Sequence, residues 1–150
     1  MRGATLSLKG RALKYLAARE HSRAELIRKL SPHAESIDEV ERTLDELESK
    51  GFLSAERFVE SVVHRKAARY GSARLKAELV QHQLPDDLTR SVLNTLKETE
   101  FERARALWLK RFGEPPSTPA DRAKQVRFLA GRGFSGEVIR QVLKGQDAPD

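Results

Sequence analysis

One recurrence constrains this chain more than any other feature. Leu30, Leu79 and Leu129 each close a short helical stretch, at spacings of 49 and 50 residues. A residue with turn or cap chemistry follows each of them: Ser36, Pro85 and Ser135. Then comes a new apolar stripe opened by Val40, Leu88 and Val138 and continued four places on by Leu44, Val92 and Val142. A short helix pair cannot bury its own apolar stripe, whereas units stacked end to end can. The spacing therefore predicts an all-α chain of three tandem three-helix repeats in an elongated, curved array, over 1–53, 54–97 and 98–150. A single irregular helical bundle with chance spacing is the competing reading.

Local signals agree with helices throughout. Ser22 with Glu25, and Ser36 with Glu39, read as capping boxes, in which serine accepts from an orphan N–H and glutamate reaches back. Gly51 and Gly71 stand where a positive φ would end a helix, and Gly113, followed by Pro115 and Pro116, stops another. No stretch alternates with period two for long enough to make a strand. The predicted helices are about 7–19, 23–31, 37–50, 55–70, 72–82, 86–96, 98–112, 119–131 and 136–144, with a frayed tail from Gln146. Trp108 is expected in the core of the third repeat. Phe52, Phe58, Tyr70, Phe101 and Phe134 are expected to pack at repeat junctions.

Several chemistries are excluded early. There is no cysteine, so disulfides, thiolate catalysis and thiolate metal sites are out. His21, His33, His64 and His82 show no spacing that puts two on one helix face for a metal. Gly131 and Gly133 flank Arg132, but no strand precedes them and no GK[ST] follows, so they form no phosphate cradle. No cofactor and no catalytic residue is expected. Without a bilayer-length apolar run or a signal-peptide core, the cytoplasm is the expected compartment.

Charge supplies the functional signal. The net charge is +6, unevenly spread. Residues 35–48 hold seven acids against Arg42, whereas five bases and no acid lie between Glu60 and Glu78. Arg65, Lys66, Arg69, Arg74 and Lys76 crowd around one helix–turn–helix corner in "HRKAARYGSARLKAEL" (64–79). Such mutual repulsion is better tolerated when an anionic partner neutralises it. The alternative is that the stems cover apolar surface while the heads stay solvated. Weaker clusters are Arg103, Arg105, Lys110 and Arg111, and then Arg122, Lys124, Arg127 and Arg132.

Three segments together resemble the RecX family of bacterial recombination regulators: "LKGRALKYLAAREHSRAELIRKL" (8–30), "LDELESKGFLSAERFVESVVHRKAARYGSARLKAEL" (44–79) and "RFLAGRGFSGEVIRQVL" (127–143). Most specific are the Gly51-Phe52-Leu53 turn leading to Arg57-Phe58 and the Tyr70-Gly71 turn leading to Arg74-Leu75. The closing Gly131-Arg132-Gly133-Phe134 adds to the match. The resemblance implies a monomeric three-repeat protein that binds RecA and its filament on single-stranded DNA. It further implies that RecA's ATPase, strand exchange and coprotease activity fall. It carries over no site residue. Two other classes stay open: a helix-turn-helix repressor, which would need a dimer, and a scaffold that binds protein only.

Overall fold

The computed structural model describes residues 5–145, and every regular element among them is helical. The expected frayed tail from Gln146 lies outside the described residues. The elements are α1 (Leu8–Ala18), α2 (Arg23–Leu30), α3 (Ile37–Ser49), α4 (Ala55–Lys66), α5 (Ser72–Val80), α6 (Asp86–Glu98), α7 (Glu100–Arg111), α8 (Pro119–Gly131) and α9 (Gly136–Gly145). A single 3₁₀ turn, Ser31–His33, extends the end of α2, a detail the periodicity does not reveal.

Caps explain most of the boundaries. Ser22 accepts from the Glu25 N–H at 3.1 Å, and the Glu25 carboxylate accepts from the Ser22 N–H at 3.0 Å, completing a reciprocal capping box. The second expected box is only half made. Ser36 accepts from Glu39, but the Glu39 carboxylate takes the N–H of Glu35 instead of that of Ser36. Thr118 caps α8, where Pro119 fills the first helical position at no hydrogen-bond cost.

By its contacts the chain divides into two compact units: residues up to Ser61 together with Gln81–Pro85, and Val62–Val80 together with the chain from Asp86 onward. In the first, Leu8, Ala12, Leu26, Leu30, Val40, Leu44, Leu47 and Leu53 form one core. In the second, Ala104, Trp108, Leu129, Phe134, Ile139, Val142 and Leu143 form another. Leu30, Leu79 and Leu129, the residues of the long-range recurrence, are each fully buried. Trp108 is buried as expected, and its indole N–H donates to Gln125 Oε1 at 2.8 Å. Phe52 departs from expectation: it is 49% exposed, because the Gly51 turn carries it outward while Leu53 turns in. Gly51 itself has φ +82°, the left-handed conformation that favours glycine.

Candidate anion-binding cleft

Helix α4 stops at Lys66, four residues before the periodicity suggests. The carbonyls of the turn that follows it find a distant partner. The Arg103 guanidinium, from α7, donates to the carbonyls of Ala67 at 2.9 Å, Tyr70 at 2.6 Å and Leu96 at 2.7 Å, and to Ser72 Oγ at 3.3 Å. One side chain thus ties the turn after α4 to the last turn of α6, where the Leu96 carbonyl also accepts from Thr99 Oγ1. Arg103, grouped with surface cations by sequence, is therefore largely structural. Burial pushes its pKa down, opposed by the nearby Glu100 carboxylate.

The Tyr70-Gly71 turn is then fastened to the turn after α8. The Gly71 N–H donates to the Arg132 carbonyl at 2.7 Å, and the Ala73 N–H to the Gly133 carbonyl at 3.3 Å. Gly71 does not adopt a positive φ; its lack of a side chain serves close approach, because a Cβ there would overlap the Gly133 backbone. This contact joins two basic segments that the sequence keeps far apart.

Three guanidinium groups surround the half-buried Tyr70 ring: Arg74 at 4.2 Å from its centroid, Arg69 at 5.5 Å and Arg132 at 5.6 Å. Phe128, on α8, is a second platform, with Arg132 at 4.9 Å and Arg111 at 5.2 Å. Phe112 meets Phe128 edge-on and holds that ring in place. Beside these rings opens a cavity of about 460 Å³, lined by Arg69, Leu107, Lys110, Arg111, Phe128 and Arg132. Four of its six lining residues are cations and none is an acid. Among the described residues, no carboxylate lies within ion-pair distance of Arg69, Arg74, Lys110, Arg111 or Arg132.

Such a lining offers many donors and few acceptors. Guanidinium groups held beside rings lose less entropy when they meet carboxylate or phosphate, and Arg69, Arg74 and Arg132 are further positioned by donating to the carbonyls of Arg65, Gly131 and Arg69. The aromatic platforms escaped sequence reasoning, which read Tyr70 as packing and did not single out Phe128. Arg132 reaches Tyr70, and Arg111 reaches Phe128, only through the tertiary fold.

The other sequence-selected cations are placed differently. Lys66 pairs with Glu78 at 2.6 Å, both side chains about one-quarter exposed. The acid that neutralises it stands just beyond the acid-free stretch. Arg65 and Lys76 are exposed and lie outside the cleft lining, as do Arg122, Lys124 and Arg127 on α8. Among the described residues no cluster of three or more potential metal ligands occurs, and no helix is long and apolar enough to cross a membrane.

Comparison with known proteins agrees with the segments quoted above. The family model for the first three-helix domain of RecX matches residues 9–47, and that for the third matches 98–143. The chain is 59% identical over 143 residues to the regulatory protein RecX of Ralstonia nicotianae, covering 95% of this chain and 90% of that one. The chain belongs to the RecX family. The RecX of Leptothrix cholodnii is 58% identical over 142 residues, with the same two coverages. Among solved structures, RecX from Lactobacillus salivarius superposes with a TM-score of 0.77 at 20% identity, over 93% of this chain and 94% of that one. A second RecX crystal structure gives 0.74 at 20% identity. These structural likenesses support the RecX fold of successive three-helix sets.

Proposed function

We propose that this RecX-family chain binds RecA and its nucleoprotein filament, and lowers RecA's ATPase, strand-exchange and coprotease activities. Family membership over nearly the whole chain supports the partner. The carrying observation is the cleft: arginines spread on Tyr70 and Phe128, around a cavity whose cations lack acidic neighbours. A folded protein accepts that repulsion at lower net cost if a partner's carboxylates or phosphates enter the site.

The three repeats, 1–53, 54–97 and 98–150, act together in this reading. The cleft supplies the main contact, with Arg74 at its edge. Arg65, Lys66, Lys76, Arg122, Lys124 and Arg127 add long-range attraction. A modulator shifts a filament equilibrium only through its difference in affinity for the two states. Preferential binding to one filament conformation would oppose subunit addition or the motion coupled to hydrolysis.

The experiment is RecA's ATPase on single-stranded DNA with and without this protein, together with filament length by electron microscopy. Inhibition by substoichiometric amounts is expected. If ATPase, filament length and strand exchange are all unchanged at several-fold excess, the assignment fails.

A further inference from the structure

The first unit holds a second basic cavity, of about 450 Å³, which the reading above does not use. Arg11, Lys14, Arg19 and Lys29 contribute its cations. Leu6, Tyr15 and Ala18 add apolar surface to the same lining.

Lys29 is the informative residue. It is half-buried, and its Nζ lies 2.8 Å from His21 Nε2 and 4.6 Å from the centroid of the Tyr15 ring. An ammonium can only donate, so Nε2 carries the lone pair and the His21 Nδ1–H donates to the Arg19 carbonyl at 3.0 Å. His21, 1% exposed, is thereby neutral. Lys29 is therefore held by two uncharged partners. The nearby acid is already committed: Glu25 accepts from Arg19 at 2.8 and 3.3 Å and from the Ser22 N–H. Among the described residues Arg11, Lys14 and Lys29 have no carboxylate within ion-pair distance.

Partly desolvating an ammonium without a counter-charge is costly, and an anion in the cavity would remove that cost. The volume lies within the range of small-ligand sites, and the mixed lining suits an apolar body joined to a charged head. The geometry points to a pocket for a small phosphorylated organic anion of nucleotide size, its phosphates on Arg11, Lys14 and Lys29. All of these residues lie in the first unit, and none of them lines the cleft.

The test is NMR titration of the labelled full-length protein with ADP, adenosine, inorganic pyrophosphate and a short oligothymidylate, following the His21 imidazole and the Tyr15 ring. ADP is expected to shift both signals saturably, adenosine to leave them unmoved, and pyrophosphate to bind more weakly than ADP. Lys14→Glu, an exposed change, should weaken ADP by about tenfold while preserving the spectrum of the core. A Lys29→Gln variant should do the same. Several results overturn the proposal: no saturable shift with millimolar ADP, unchanged affinity in both variants, or pyrophosphate binding as tightly as ADP. Shifts produced by oligothymidylate but not by ADP also overturn it, since the ligand would then be a strand. No RecA enters the assay, so its outcome leaves the cleft reading untouched.

Discussion

Gly71 and Gly133 lie in two turns pressed together so closely that neither can carry a side chain. A Cβ on Gly71 would overlap the Gly133 backbone, and one on Gly133, where φ is +94°, would overlap Arg74. The contact brings Arg132 over the Tyr70 ring and so builds one side of the cleft.

Gly71→Ala should therefore cost about 2–3 kcal/mol, as overpacking against backbone that cannot yield does. Gly51→Ala meets empty space and only the left-handed strain, about 1–2 kcal/mol. Gly131→Ala, at the end of α8 with nothing near its added methyl, should be neutral or slightly stabilising. Urea melts of the three variants check this order. A Gly71→Ala protein as stable as Gly131→Ala would show that the turns are not in close contact.

Replacing Arg103 tests the shared carbonyl clamp. Lysine has one compact head and cannot reach the carbonyls of Ala67, Tyr70 and Leu96 together. Arg103→Lys should cost about 2–4 kcal/mol, since charge-assisted bonds to partly buried carbonyls are lost. Amide exchange should speed up first at Ala67–Tyr70. A change under about 0.5 kcal/mol, the usual range for a surface substitution, would place Arg103 back among the solvated cations.

Two titrations set the pH dependence of stability in the first unit. Burial pushes His21 below its ordinary 6.5, assisted by the charges of Arg19 and Lys29 and opposed by the Arg19 carbonyl and Glu25. The unfolded chain thus takes up this proton first, and stability should decline as pH falls below 6.5. Glu25 is shifted in the same direction, for a different reason. Burial would raise it, but the Arg19 and Ser22 bonds outweigh burial and hold it at about 2. Its contribution is present above the unfolded value of 4.5 and is lost as pH falls from there towards about 2. Thermal melts from pH 8 to pH 2 should show both losses, with His21→Gln flattening the upper step and Glu25→Gln the lower. Unaltered profiles in the variants would assign the steps elsewhere.

The paired change Arg69→Glu/Lys110→Glu removes cleft charge from two exposed positions. RecA inhibition should weaken at least tenfold, about 1.4 kcal/mol, with the helical circular dichroism spectrum kept. Arg122→Glu/Lys124→Glu, outside the cleft, should weaken it less. The reverse order would move the contact to α8.

Free single-stranded DNA should bind weakly and with strong salt dependence. The aromatic platforms Tyr70 and Phe128 already carry guanidinium groups, so little ring face remains for base stacking, which supplies about 1–3 kcal/mol per base in dedicated binders. If about four phosphates are neutralised, log K should fall against log salt with a slope of about −3. Tight, salt-resistant or sequence-selective binding would favour the repressor reading.

How much was legible follows from how far each interaction reaches. Helices, caps and core leucines depend on residues within one or two turns of each other. Ser22 with Glu25, the apolar stripes and the Gly113 stop could therefore be read directly from the chain. Even there, Ser36 and Glu39 satisfied the motif while the carboxylate chose Glu35, because two N–H groups lay within its reach. The sequence by itself determined an all-helical protein with an acidic stretch over 35–48 and a basic one over 65–76. Which cations stay unneutralised was decided only by the tertiary structure. Lys66 is quenched by Glu78, twelve residues on, whereas Arg69 and Arg132, 63 residues apart, converge on one ring. Coulomb and cation–π energies depend on separation in space, and packing between helices sets that separation.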